Sequence, residues 1–282
     1  MYTITGVTGH VGSVAAQTLL SQNKRVRVLV RDAAKGEPWA KQGADVVIGT
    51  FHDHAALVKA FTGVDGAFVL IPPAEAMGAG DPIAYNAQIA EKIAAAVRAS
   101  GLKHLVLLSS VGAQHADGTG PIKALNRAEK ILAGPHLTAV RPAYFQENWA
   151  TSLGALAQNI LPSFVDKSVR YAQVATADIG RTVAAALVEG TRGVIELAGP
   201  RDYTGDEVAA ALSTVVGTPI AAIDVPKDQQ LAGLTGHGVP EPAAKLFVEM
   251  YRGIESGTVA FEGTPRRGTV EVSATLSKLL GK

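Results

Sequence analysis

The segment Thr5-Gly6-Val7-Thr8-Gly9-His10-Val11-Gly12 constrains this chain more than any other. It joins a short apolar run, Tyr2–Thr5, to a stretch with helical spacing, His10–Ser21, in which Val11, Val14, Ala15 and Leu19 share a face. In a strand–turn–helix of this kind, Gly6 permits the tight turn. Gly9 lets backbone N–H groups approach a pyrophosphate, and Gly12 lets the helix pack closely on the strand. The helix N-terminus then offers unpaired N–H groups to anionic oxygens. Thr8, His10 and Val11 complete the candidate cradle, His10 through its backbone while its side chain reads as a surface cap. No Gly-Lys-Ser/Thr follows, which excludes a kinase-type phosphate loop.

The alternation continues through the first 140 residues. Strands are expected at Val26–Val30, Asp45–Ile48, Gly66–Ile71, His104–Leu108 and Leu137–Val140. Helices are expected at 53–61, capped by Asp53, and at 81–99 and 121–132. Short apolar strands separated by helices predict a parallel sheet covered on both faces, a doubly wound α/β fold. Beyond residue 150 the rhythm weakens. Residues 151–164 read as helical or irregular, 177–189 as a helix and 193–197 as a strand. Thr204 and Glu207 form a capping-box pattern for a helix over 204–216. A last strand is expected at 220–225, and 226–282 read as helices with loops. The expected division is a cofactor platform over 1–150 and a smaller, mostly helical substrate-side subdomain over 151–282.

Composition narrows the function. Lys and Arg total 26 against 25 Asp and Glu, so no global field gathers nucleic acid or an anionic membrane. The chain has no Cys, which removes thiolate metal sites, disulfides and a Cys nucleophile. No signal-like N-terminus or 18-residue apolar run is present, so a cytoplasmic location is expected. The expected partner is a small-molecule substrate; the sequence leaves the oligomeric state open. His52-Asp53-His54 lacks a third ligand and reads as an exposed turn before a helix, so no metal site is expected. No Gly-x-Ser-x-Gly elbow supports Ser-His-Asp catalysis.

The second strand ends Val28-Leu29-Val30-Arg31-Asp32. A carboxylate here suits the ribose of NAD, whereas an Arg suits the 2′-phosphate of NADP. Arg31 comes first, with Lys35 close behind, and Asp32 can cap the turn toward Lys35. NADP(H) is therefore favoured over NAD(H). The proton relay Tyr-x-x-x-Lys is absent: none of the six tyrosines, at 2, 85, 144, 171, 203 and 251, has Lys four residues later.

TGVTGHVG (5–12), VLVRD (28–32), DHAALVKAFTGVDGAFVLIPP (53–73), GLKHLVLLSSVGA (101–113), NRAEKIL (126–132) and LTAVRPAYFQENW (137–149) together resemble the NmrA-like group of atypical short-chain dehydrogenases. They are especially similar to the bacterial NADPH-dependent quinone reductases of that group. ADIGRTVAAAL (177–187) and ELAGPRDYTGDEVAAALS (196–213) resemble the group's C-terminal signatures. The resemblance spans roughly residues 1–215 and implies a Rossmann-like fold with NADPH across the C-terminal strand ends. It implies that residues 6–12 hold the pyrophosphate and Arg31 the 2′-phosphate. Phe51, Leu70 and Pro72 would line the adenosine and ribose. Ser109 and Ser110 would lie where the superfamily's catalytic Ser sits. Pro142, Tyr144 and Phe145 would back the nicotinamide, with Tyr144, Phe145, Asn148 and Trp149 facing the substrate.

Three readings of function follow. The first is an NADPH-dependent reductase passing hydride to a quinone or a similar electron-poor molecule without the tyrosine relay, Ser110 and Tyr144 being candidate catalytic residues. The second is a non-catalytic NAD(P)-binding redox sensor. The third is a reductase of an aromatic, imine or carbonyl substrate assisted by Lys123, because Lys123 to Arg127 resembles the Lys-x-x-x-Arg helix start of isoflavone and pinoresinol reductases. A Lys in the first turn of a helix is also an ordinary solvated side chain.

Overall fold

The computed structural model describes residues 1–282, apart from the side chains of residues 73 and 74. In chain order the elements begin β1 (Tyr2–Thr5), α1 (His10–Ser21), β2 (Val26–Val30), α2 (Ala33–Ala40), β3 (Asp45–Ile48), α3 (His54–Phe61), β4 (Gly66–Val69), α4 (Pro73–Met77), α5 (Pro82–Ser100) and β5 (Leu105–Leu108). Then come α6 (Ile122–Ile131), β6 (Leu137–Pro142), β7 (Tyr144–Phe145), a 3-10 helix (Gln146–Gln158), β8 (Ile160–Ser163), β9 (Tyr171–Val174), α7 (Thr176–Glu189) and β10 (Gly193–Ala198). The chain closes with β11 (Asp202–Tyr203), α8 (Gly205–Val216), β12 (Ala221–Asp224), α9 (Gln230–Gly236), α10 (Glu241–Glu255), β13 (Arg266–Arg267) and α11 (Val272–Leu279).

The chain forms two compact units that interleave in sequence. The first comprises residues 1–109, 124–141 and 179–195; the second comprises 110–123, 142–178 and 196–282. This differs from the single boundary expected near residue 150, because α6, β6 and α7 complete the first unit after the chain has already contributed to the second.

In the first unit the strand order is β3-β2-β1-β4-β5-β6, and these six strands pair in parallel. This is the doubly wound order, in which the chain reverses direction across the sheet between β1 and β4. Strands β4 and β5 contribute Phe68, Val69, Leu105 and Leu107, all buried, as a central parallel sheet demands. On one face Leu57, Phe61, Ile89, Ile93 and Leu132 from α3, α5 and the end of α6 form a continuous core with the sheet. Asp53 caps α3 through Ala56 N at 3.0 Å, and Asp81 caps α5. The helix α2 has no strong signature, since Gly36 and Pro38 both weaken it; Asp32 starts it by accepting from Lys35 N at 2.9 Å.

Two buried polar groups tie the unit together. Arg141, with a side chain only 7% exposed, holds Glu129 at two points, 2.9 and 2.6 Å, and Ser109 donates its hydroxyl to the same carboxylate. These donors replace the water that the enclosed carboxylate gives up on burial. His104, 2% exposed, meets the Thr138 hydroxyl at 3.1 Å.

The second unit is assembled from short pieces. The small sheet β11-β9-β7 pairs Tyr144 with Gln173 and Tyr203 with Tyr171, and β8 pairs in parallel with β12. Residues 151–164, ambiguous by periodicity, divide into the end of the 3-10 helix, a left-handed Asn159 (φ 58°) and β8. The capping box of α8 forms as its sequence predicts, with Thr204 and Glu207 serving each other's backbone. Two apolar clusters result, one around Trp149, Leu161 and Tyr203, the other around Tyr251, Ile254 and Val165. No helix among the described residues is long and apolar enough to cross a membrane.

Burial, aided by the charge of Arg192, pushes the His104 imidazole down to about 4, against an opposing backbone hydrogen bond at Thr191. The unfolded chain therefore takes up this proton near pH 6.5 and the folded chain near 4. The stabilising contribution is complete above pH 6.5 and is lost as the pH falls toward 4. Urea unfolding from pH 7 to 4 should fall more steeply for the wild type than for His104→Gln, by up to about 1.4 kcal/mol per pH unit. Parallel curves would contradict this account.

Candidate functional site

The first unit carries a cleft of about 370 Å³ at the C-terminal ends of β1, β2 and β4. Its floor is the glycine turn. Gly6 has a left-handed φ of +65°, and a Cβ there would lie 2.5 Å from Leu70 Cδ2. At Gly12 a Cβ would lie 2.4 Å from the carbonyl oxygen of Gly6, so α1 sits too close to the turn for any side chain. Gly9 differs. Its φ of −104° suits any residue, and a Cβ would meet nothing nearer than the Gly6 carbonyl at 3.4 Å. Neither backbone nor packing calls for glycine at position 9, which lines the cleft. No side chain caps α1 and no acidic residue lies in its first turn, so the positive end of the helix is not neutralised locally. Thr8 and His10 are exposed, while Val11 and Gly12 are buried and can serve a ligand only through their backbone.

At the other end of the cleft Arg31 is 73% exposed and lies 3.6 Å from Glu75. Lys35 joins it in the lining. The neighbouring carboxylate, Asp32, is engaged as the N-cap of α2 and does not line the cleft. Phe51, Leu70 and Pro72 provide apolar walls. Lys35, which follows Arg31 in the sequence argument, lines the cleft, and Thr50 and Glu75 line it without having been expected there. Glu75 accepts from the Tyr85 hydroxyl at 2.7 Å; burial, with this carboxylate beside it, pushes that phenol up to about 12. His52 also meets Tyr85, at 3.1 Å. No group of three His, Asp or Glu side chains able to hold a metal occurs among the described residues.

The second unit has its own pocket of about 250 Å³, lined mainly by Ser110, Ile122, Tyr144, Tyr171, Met250, Ile254, Val259 and Phe261. Tyr144 and Tyr171 meet edge to face, with ring centroids 5.6 Å apart. Burial holds the Tyr144 phenol well above its ordinary value, and the neighbouring phenols of Tyr251 and Tyr171 add to this; a hydrogen bond with Asn148 opposes it. Both hydroxyls therefore stay protonated at any physiological pH. Tyr171, Met250 and Phe261 escaped the sequence reading because they lie on β9, on α10 and beyond it, segments without a motif.

Several expected site residues fall elsewhere. Trp149 is 5% exposed, packs in the Leu161–Tyr203 core and donates its indole N–H to Gln173 at 2.8 Å, so it does not face the pocket. Asn148 is exposed and touches Tyr144 but not the pocket. Phe145 and Pro142 are also outside both linings. The Ser109 hydroxyl is engaged with Glu129. Lys123 is bound to Glu249 at 2.8 Å, and the other oxygen of Glu249 accepts from Gly118 N at 3.0 Å. Glu249 on α10 thus holds both Lys123 and the 118 loop, and Ile122, not Lys123, lines the pocket.

A doubly wound sheet with a glycine cradle and a cationic far end defines a dinucleotide-binding fold. The profile of the NmrA-like family matches residues 2–277, and the chain belongs to that family. It is 28% identical to quinone oxidoreductase 2 of Escherichia coli (strain K12), over all of this chain and 94% of the relative. It is 26% identical to the NAD(P)H azoreductase of Xenophilus azovorans, over 89% of this chain and 86% of that one. Its fold is similar to that of the NADPH-dependent quinone oxidoreductase of E. coli crystallised with NADPH, with a TM-score of 0.85, 24% identity, and 99% and 100% of the two chains covered.

The glycines separate packing from binding. Gly12→Ala should lower the melting temperature by several degrees, because a backbone carbonyl cannot move aside. Gly9→Ala should melt within about two degrees of wild type yet lose at least tenfold in dinucleotide affinity. Calorimetry and a binding titration read the two effects, and equal losses of stability in both variants would contradict the distinction.

Proposed function

We propose that this protein is an NADPH-dependent reductase that passes a hydride to a quinone or a similar electron-poor small molecule. The observation that carries the reading is the first cleft. Its ligand-side opening at Gly9, the uncapped start of α1 and the cationic pair Arg31 and Lys35 fit, in that order, a pyrophosphate and a 2′-phosphate. The backbone of residues 6–12 would hold the pyrophosphate, Arg31 and Lys35 the 2′-phosphate, and Phe51, Leu70 and Pro72 the adenosine and ribose. The likeness to relatives named for azo and quinone reduction supports the reading.

When bound, NADPH supplies the hydride, and a quinone leaves as hydroquinone after taking one proton from water. The protein's share is binding, orientation and exclusion of side reactions. The aromatic pocket of the second unit suits the acceptor. Tyr144 acts as a hydrogen-bond donor to a carbonyl oxygen and not as a base, since its phenol titrates far above neutral pH and no Lys is present to lower it. Ser110 lines the same pocket with its hydroxyl turned to the Val111 carbonyl at 3.0 Å. Lys123, neutralised by Glu249, has no part in proton transfer.

The test is steady-state NADPH oxidation with a panel of quinones. Acceptor-dependent turnover is expected, and its absence in protein shown to bind NADPH would favour a sensor. Arg31→Ala should raise KM for NADPH about tenfold while changing that for NADH less than about threefold, as loss of one exposed charge-assisted contact predicts. Equal effects on both would remove the role given to Arg31. Tyr144→Phe should retain kcat within about fivefold and leave its pH profile unchanged between pH 6 and 9. A loss of a hundredfold or more would assign Tyr144 a true acid–base role.

A further inference from the structure

The charged groups around the second pocket form a closed account. Its lining includes one cation, Arg170, and one anion, Asp202. Arg170 grips Glu207 at two points, 2.8 and 2.9 Å, and donates to the backbone carbonyl of Asp202 at 2.8 Å. The Asp202 carboxylate is held by Arg267 at 2.7 Å. Glu207 also faces Arg201 at 3.5 Å, and Arg201 faces Glu271 at 3.6 Å. Three guanidinium groups thus alternate with three carboxylates, and neither lining charge lacks an opposite partner. The remaining polar groups of the wall include the hydroxyls of Tyr144 and Tyr171, which stay protonated and can donate but carry no charge.

We infer that this pocket selects uncharged, flat acceptors and rejects anionic ones of the same ring system. The inference rests on the reductase reading and specifies its substrate class. A neutral carbonyl compound finds apolar walls and phenolic donors, the composition expected of a small-molecule site. A sulfonate or carboxylate loses its hydration without meeting an unpaired cation, and it must compete with Glu207 for Arg170. The volume of about 250 Å³ lies below the usual range of such sites, which limits the acceptor to one or two fused rings.

The experiment compares 1,4-naphthoquinone with its 2-sulfonate. The sulfonate makes the ring more electron-poor, so intrinsic reactivity favours the anion, and a preference for the neutral quinone must come from the protein. We expect kcat/KM at least roughly tenfold higher for the neutral quinone. Equal or greater values for the sulfonate would overturn the inference. Glu207→Gln keeps a side chain that suits the capping box of α8 but leaves Arg170 without its carboxylate partner. That ratio should then fall at least about fivefold toward the anion, and an unchanged ratio would show that the paired network does not set the selection. Asp202→Asn, which removes the lining anion, tests the same point should Glu207→Gln fail to fold. Quenching of intrinsic protein fluorescence by each oxidised quinone reads the binding preference without turnover. Failure of the reductase reading, with neither quinone reduced, is thereby distinguishable from failure of the charge selection.

Discussion

The approach of α1 to the glycine turn is the contact on which the rest depends. With the Gly6 carbonyl 2.4 Å from where a Gly12 side chain would begin, the helix starts directly above the end of β1. That position aims its unneutralised N-terminus into the cleft. The reversal of strand order between β1 and β4 separates the loops that follow them and leaves the space there. The same short turn makes Gly9 a residue defined by what it leaves empty.

The charged residues divide by whether they are free to meet a ligand. Arg141 and Arg170 both hold carboxylates at two points, the first inside the first unit and the second at the edge of a pocket in the second. Lys123 is bound to Glu249. Arg31, by contrast, is largely exposed, and Glu75, 3.6 Å away, also accepts from Tyr85. A loosely held guanidinium can change partners at little cost, whereas the tightly paired ones act as structure or as neutral wall.

Much of this was legible in the sequence where local signals and long-range packing agree. β1, α1, β2 and β3 end where their apolar runs and glycines predict, and Asp32, Asp53 and Thr204 cap as their types and positions suggest. α2 was obscured by Gly36 and Pro38, and the two- and four-residue strands β7, β9 and β11 are too short to show a period. Trp149 was misassigned because an aromatic residue near a motif looks the same whether it packs inward or outward. Its direction is set by Leu161 and Tyr203, which arrive from β8 and β11.

The sequence by itself determined the strand–turn–helix with its glycines and the alternation of strands and helices, because these rest on contacts between near neighbours in the chain, on the left-handed backbone at Gly6 and on the close packing at Gly12. The lining of the second pocket was decided by tertiary structure alone. Tyr171, Met250 and Phe261 come from distant segments, and the neutrality of the pocket edge depends on Arg170 meeting Glu207 and Arg267 meeting Asp202 across 37 and 65 residues of chain. Charge type can be read from a residue's identity, but whether that charge is cancelled depends on what folding brings beside it.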